Sequence, residues 1–449
     1  MQKKLLSGLF WVLLANLLVK PFWILGVEVG VQNAVGNETY GFYFSIFNLS
    51  YILNILLDLG ITNFNTRNIA QHPQLITKHL SGILGIKVCL LALYLVVTFT
   101  VGALMGYGSE EFRLLAWLTL CQFLNSLILY LRSNFEGLML FKWDSLFSVL
   151  DRVLMILICS CLLWSPLREG FNIYWFVYAQ AIAYGLTALL AFAVIARKAK
   201  FSPLAPQGRR PQFTFHLSPA FFLVILKKSA PFALLVLLMA SYNRIDPILL
   251  RRLASDADAG IYAGAFRLLD ALTMVAYLVS VPLLPVFSKL CKEKESVTDV
   301  ILIVFWPMML FAVGVSVVCV LWAEPLMNLL YHERGVLYVP VFRVVIFGII
   351  PIGLTYIFGT LLTAGGYLRQ LNIFAATTLV LNVVVNLLLI PRFGATGSAW
   401  ASLTAQTFMA LAQFVLAIHL FRLPLSTFRI PGVNDFKHFV SLLKSSHED

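Results

Sequence analysis

The sequence predicts an all-α, polytopic membrane protein with twelve transmembrane helices in two pseudo-symmetric six-helix lobes. Three observations lead there. Of 449 residues, 60% are hydrophobic and 12% charged, with a mean hydropathy of +0.87, whereas a water-facing surface carries about a quarter charged residues. The length is spent on apolar stretches of roughly 20 residues or more, each able to cross about 30 Å of hydrocarbon. Finally, Gly41, Tyr43, Phe47 and Leu49 recur 219 positions later as Gly260, Tyr262, Phe266 and Leu268. A shared G-φ-Y-x-x-x-F-x-L pattern (φ apolar) at corresponding points of two apolar halves points to one helical bundle used twice, the usual build of secondary transporters.

Taken in order, the predicted spans cover 9–31, 40–62, 79–105, 112–134, 145–166 and 172–196 in the first lobe. Those of the second cover 229–252, 260–288, 298–322, 337–364, 370–390 and 396–421. The first span follows Lys3 and Lys4, but its length and the lack of an A-x-A cleavage pattern predict a retained helix rather than a signal peptide. Residues 197–222 form the longest polar interruption, with Pro203, Pro206, Pro211 and Pro219 among Arg197, Lys198, Lys200, Arg209 and Arg210. This stretch reads either as a linker between lobes that move against each other or as a topogenic loop. The predicted organisation is therefore an N-terminal lobe at 1–196, a basic Pro-rich cytoplasmic linker at 197–222, a C-terminal lobe at 223–421 and a cytoplasmic tail at 422–449. Within spans, Pro231, Pro247, Pro282, Pro285 and Pro351 each free a carbonyl and kink the axis, as suits helices that bend.

A net charge of +12 has to be read through its placement. With the N-terminus in the cytoplasm, 21 of the 33 Lys and Arg fall on the inner side or its helix ends and six on the outer side. This positive-inside asymmetry puts both termini of an even number of spans in the cytoplasm. The basicity is thus topology and lipid-headgroup contact, not a nucleic-acid site. Every outward loop is short, which argues against an external catalytic domain, and no G-x-x-x-x-G-K-[ST] loop occurs for ATP hydrolysis. No catalytic residue, metal or cofactor is expected. The six cysteines lie in or beside apolar spans without C-x-x-C spacing and read as packing. Trp11, Trp23, Trp117, Trp164, Trp175 and Trp322 fall mostly near predicted boundaries and read as interfacial anchors.

The informative charges are those left inside spans: Lys20, Lys87, Arg152, Arg244, Arg267 and Arg343, with Asp58, Asp151, Asp246 and Asp270. An ionisable group at membrane depth costs roughly 2.5–3.5 kcal/mol on insertion scales, so it ordinarily faces a polar interior and marks a pathway. By helical rise, Lys20 sits near the midplane, while Arg244 and Arg267 both come out roughly 10 Å below the outer boundary. Arg267 and Asp270, spaced i,i+3, share a face on which they can pair; Arg244 and Asp246 point to different sides. Arg152 and Lys87 are within snorkelling reach of a headgroup region. A surplus of Lys and Arg in a cavity attracts an anion, because guanidinium and ammonium match phosphate.

The runs G-F-Y-F-S-I-F-N-L-S-Y-I-L-N-I-L-L-D-L-G (Gly41 to Gly60), R-I-D-P-I-L-L (Arg244 to Leu250), G-I-Y-A-G-A-F-R-L-L-D (Gly260 to Asp270) and N-L-L-L-I-P-R-F-G-A-T-G-S-A (Asn386 to Ala399) carry a resemblance. Together they resemble the polysaccharide-transporter branch of the multidrug/oligosaccharidyl-lipid/polysaccharide flippase superfamily. The resemblance implies two six-helix lobes in a V around a central cavity open alternately to each side. It implies cavity cations, matched here by Lys20, Arg244 and Arg267, that hold the diphosphate of a polyprenyl-linked oligosaccharide such as an O-antigen unit. It also implies a bacterial cytoplasmic (inner) membrane, membrane lipids as surroundings, and a polymerase or ligase of the same glycan pathway as a possible partner. Drug exporters of the superfamily centre on acids that bind Na⁺ or H⁺. Asp58, Asp246 and Asp270, as coupling or pairing acids, keep that cation-coupled multidrug reading open.

Overall fold

The computed structural model describes residues 19, 21–71, 76–200, 219–280, 283–424 and 428–429, and every regular element among them is helical. The chain divides into two compact units, Met1–Ala240 and Ser241–Asp449. In the first unit, α1 (Trp23–Leu57) is followed by α2 (Ile61–Gln71), α3 (Ile76–Leu104), α4 (Ser109–Gly137), α5 (Phe141–Phe147), α6 (Leu150–Leu163) and α7 (Ile173–Lys200). Helix α8 (Pro219–Arg244) leads into the second unit, which continues with α9 (Asp246–Leu253), α10 (Asp256–Ser280), α11 (Leu283–Glu293) and α12 (Thr298–Leu321). It closes with α13 (Ala323–Tyr331), α14 (Gly335–Ala364) and α15 (Leu368–Phe421). Most of the expected linker, 201–218, lies outside the described residues, as does nearly half of the first predicted span, 9–18 with Lys20.

Nine described helices are long and apolar enough to cross a membrane, and α8 with α9, bent by 43° at their junction, makes a tenth. One of the nine, α15, is long enough for two spans. At 1.5 Å per residue, the 54 residues of α15 would extend about 80 Å, far beyond a bilayer. Gly394, at φ 52° and ψ −132°, breaks it between the predicted spans 370–390 and 396–421. In α1 the corresponding break is Gly36, at φ 82°. Gly36 stands 219 positions before Ser255, which lies in the gap between α9 and α10. The sequence repeat therefore extends from four side chains to the place where a helix is interrupted.

Each unit buries its own apolar core. Ile83, Leu90, Tyr130, Phe135, Phe147 and Ile195 join α3, α4, α5 and α7, and Phe287, Ile301, Phe358, Leu361 and Ala417 do the same for α11, α12, α14 and α15. Leu104, Leu189, Leu321 and Leu388 lie exposed, a cost in water but none against lipid. Small residues let helices approach, as expected where lipid tails are as apolar as leucine. A Cβ on Gly348 would fall 2.5 Å from the Gln406 amide oxygen, and one on Gly353 3.2 Å from the Met308 side chain. Trp164, Trp175 and Trp322 are exposed as anchors should be, but Trp23 is 4% exposed and packs inside the first unit.

The end of α1 shows how a broken span is held. Asp58, Leu59 and Gly60 separate it from α2, with Leu59 at φ 45° and Gly60 at φ 85°. The interruption leaves the last carbonyls of the helix without helical donors. Lys87 reaches across from α3, and its ammonium donates to the Leu57 carbonyl (2.8 Å), Asp58 Oδ1 (2.8 Å) and Ser126 Oγ (2.9 Å). Three protons meet three acceptors. Asp58 in turn accepts from the Thr62 hydroxyl and backbone N–H, starting α2. Lys87 is thus 1% exposed and does not snorkel.

Replacing Lys87 by Met keeps the stem but takes the cation from the Asp58 carboxylate and leaves the Leu57 carbonyl only the Ser126 hydroxyl as donor. Breaking a buried ion pair from one side costs about 3 kcal/mol or more. Thermal unfolding in detergent should show a lowered midpoint for Lys87→Met, partly restored in Lys87→Met/Asp58→Asn. An unchanged midpoint in the single variant would show that the clamp contributes nothing.

Candidate functional site

A cluster of polar residues of the second unit gathers at the bend between α8 and α9. Helix α8 ends at Arg244 and α9 starts at Asp246, with Pro247 in its first turn. Proline fits there because the first-turn N–H has no helical acceptor in any case, and an acid is favoured at the positive end of the helix dipole. Asp246 is fully enclosed. Its carboxylate accepts from the Tyr262 hydroxyl on α10 (2.9 Å) and from the side-chain amides of Asn382 (3.1 Å) and Asn386 (2.8 Å) on α15. The two asparagines are spaced i,i+4 and share a face. Asn386 Oδ1 accepts from the Ser398 hydroxyl (2.8 Å), which ties together the two sides of the Gly394 break. The break is itself capped: Asp258 Oδ1 accepts the Ala395 N–H at 3.2 Å, and a Cβ on Gly394 would fall 2.7 Å from that oxygen.

Tyr262 is the tyrosine of the repeated motif. It stacks on Phe266 with ring centroids 5.5 Å apart, as Tyr43 stacks on Phe47 at 5.8 Å. Both tyrosines are buried, and each carries a different polar partner: Asp246 for Tyr262, and Gln180, donating at 3.1 Å, for Tyr43. The repeat preserves the packing and varies the polar partner. Tyr43 and Tyr242 are both enclosed and offer no open ring face to a sugar.

Arg244 turns to the other side of the bend. Its guanidinium meets Asp270 on α10 as a two-pronged fork, NH1 to Oδ2 at 3.0 Å and NH2 to Oδ1 at 3.3 Å, and lies over the Phe266 ring at 5.6 Å. The pair keeps 25% and 34% of its side-chain surface exposed. The acid of Arg244 thus comes from the neighbouring helix, which spacing along one helix could not reveal. Arg267 goes elsewhere. It is 5% exposed and donates to the Tyr331 hydroxyl at 2.6 Å, Tyr331 donates to the Gly264 carbonyl, and Tyr331 stacks on Tyr338 at 4.0 Å. Its side chain is enclosed within its own unit. Lys20 lies outside the described residues. Of the acids, Asp58 is bound to Lys87 and Asp270 to Arg244. Asp246, among the described residues, is met by neutral donors alone.

Arg152 does not use the snorkelling reach that its position allows. Instead it turns into the first unit, with its guanidinium over Trp23 and Tyr184.

The family model for polysaccharide biosynthesis proteins matches residues 5–291. No curated protein gives a significant match. Among solved structures, the chain is similar to the lipid II flippase MurJ in an inward closed conformation, with a TM-score of 0.66 and 14% identity over 92% of this chain and 88% of that one. It is similar to an inward-facing multidrug resistance MATE family transporter of the MOP superfamily, at 0.64 and 15% over 92% and 94%. A MATE transporter of Vibrio cholerae gives 0.59 and 17% over 94% and 97%. At these identities the likeness concerns the fold.

Removing the Asp246 carboxylate takes away the acceptor that gathers the Tyr262 hydroxyl and the Asn382 and Asn386 amides, of which Asn386 keeps the Asn382 carbonyl; each buried donor left unsatisfied costs about 1–3 kcal/mol. Asp246→Ala should lower the unfolding midpoint of the purified protein more than Tyr262→Phe, which removes a single donor. Equal midpoints for Asp246→Ala and the wild type would refute the assignment of this cluster as the knot of the second unit.

Proposed function

We propose that this chain, which belongs to the polysaccharide biosynthesis protein family, is a multi-pass flippase of the MOP superfamily and moves a polyprenyl-diphosphate-linked oligosaccharide, of the O-antigen kind, from the cytoplasmic to the outer leaflet of a bacterial inner membrane. A charged, hydroxyl-rich headgroup cannot cross hydrocarbon unaided. A polar interior opened alternately to each side supplies the route.

The observation that carries this reading is the Arg244–Asp270 fork. A part-exposed pair is weakly held, contributing on the order of 1 kcal/mol or less. The same planar donors that grip a carboxylate fit a phosphate oxygen pair. A diphosphate, with more charge than one carboxylate, competes for the fork, and Asp270 keeps Arg244 in place between turnovers. Lys20 and Arg267 remain part of the proposed set of cations, Arg267 acting from behind Tyr331. The cation-coupled multidrug alternative fits less well, because a cationic drug needs an acid free of its own cation, and Asp58 and Asp270 are each held by one. Asp246, which no cation meets among the described residues, is the acid left for a coupling Na⁺ or H⁺.

The deciding assay is the leaflet location of lipid-linked oligosaccharide in proteoliposomes. Losing one charge-assisted contact of roughly 1.5–3 kcal/mol should slow flipping about ten- to a hundredfold in Arg244→Ala, with partial activity in Arg244→Lys and near-normal activity in Asp270→Asn. Normal flipping by a well-folded Arg244→Ala removes this arginine from the site. Drug efflux without flipping by the wild type, abolished in Asp270→Asn, would establish the exporter instead.

A further inference from the structure

The first unit contains a polar cluster that the Arg244 site does not use, and it is built on an unusual turn. Residues Trp23–Glu28 are π-helical, a geometry that is rare overall but frequent at functional sites. A π turn brings residue i beside i+5, and the Trp23 indole N–H donates to Glu28 Oε1 at 2.9 Å. Trp23 stacks flat on Phe176 at 5.9 Å, and its ring also carries the Arg152 guanidinium at 5.5 Å. Tyr184 closes the other side, its ring 5.6 Å from the guanidinium and its hydroxyl accepting from NH1 at 2.8 Å.

Arg152 points inward. On α6 it shares a face with Met155, Cys159 and Leu163, all buried, and lies opposite Leu157 and Cys161, both exposed. Its side chain nevertheless keeps 27% of its surface. A guanidinium has five N–H donors, yet among the described residues Arg152 makes one hydrogen bond, to Tyr184. Its Nε lies 3.7 Å from Asp151 Oδ2, too long for a second. Donors left unmet at membrane depth are costly, so the arrangement is that of a group held ready for an acceptor.

The surrounding charge decides which acceptor. The Asp151 carboxylate stands 3.7 Å from the Arg152 Nε and, like that of Glu28, adds negative charge to the surroundings of the guanidinium, which disfavours a further anion. A neutral, oxygen-rich group is not disfavoured. We propose that Arg152, set between Trp23 and Tyr184, contacts the glycan rather than the diphosphate of the transported lipid, reading hydroxyl or acetamido oxygens of the sugars. This rests on the flippase reading above and adds to it a separate subsite for the sugar.

The test uses the full chain in nanodiscs and two kinds of probe: undecaprenyl diphosphate alone, and undecaprenyl diphosphate carrying one hexose or one N-acetylhexosamine. The wild type should bind a sugar-bearing lipid about tenfold more tightly than the bare one, the contribution of one or two hydrogen bonds from a charged donor. Arg152→Lys and Tyr184→Phe should bind the bare lipid as the wild type does and lose most of that tenfold increment. Undiminished sugar dependence in Arg152→Lys, or no sugar dependence of the wild type with either head, overturns the subsite and leaves the flippase reading standing. Failure of the wild type to bind any of the lipids would defeat both. Retained binding of the bare lipid separates a lost contact from a misfolded variant.

Discussion

Hydrocarbon offers no hydrogen bonds, so every interrupted helix and every charge within the bilayer must be satisfied by the protein itself. The distinctive features of this chain follow from that constraint. Where α1 ends at Leu57, a lysine from α3 supplies the donors that the helix has lost. Where α15 breaks at Gly394, the carboxylate of Asp258 takes up an N–H of the restarted helix. Where α8 bends into α9, the acid at the bend is enclosed by a tyrosine and two asparagines. Each of these three breaks is paired with a polar side chain from another helix. The breaks thus serve as joints between helices as well as kinks within them.

The same constraint separates the charges into two kinds. Lys87 and Asp246 are saturated and enclosed, and removing either takes a hydrogen-bond partner from its neighbours. Arg244 with Asp270, and Arg152 beside Tyr184, keep part of their surface and sit against aromatic rings. An aromatic face stabilises a guanidinium without taking up its N–H donors. Such a setting holds a cation at depth and leaves its hydrogen-bonding capacity for something else.

Much of the fold was legible in the sequence because hydrocarbon enforces a simple rule of length and polarity. Spans 370–390 and 396–421 were separable despite their near continuity, since Pro391 and Gly394 punctuate them. The repeat at Tyr43 and Tyr262 was visible because the same ring stack is used twice. What could not be read was which helices are neighbours. Asp270 is three residues from Arg267 along the chain but forms its fork with Arg244 on another helix. Lys87 looked able to reach a headgroup, and only the break at Asp58–Gly60 beside it explains why it turns inward. Trp23 looked like an interfacial anchor because a π turn leaves no compositional mark.

That turn also sets the rotational phase of its helix. A π turn absorbs one residue more than an α turn, so side chains on its two flanks are offset by about 100°, the angular step of one residue in an α-helix. On one flank Phe22 is exposed, and on the other Val29 and Val31 are buried. An α-helix through the same segment could not keep both flanks in their present orientations. Loss of a single residue between Trp23 and Glu28 would therefore act as a rotation of one flank against the other, changing which side chains face the unit while leaving the span nearly as long and as apolar as before.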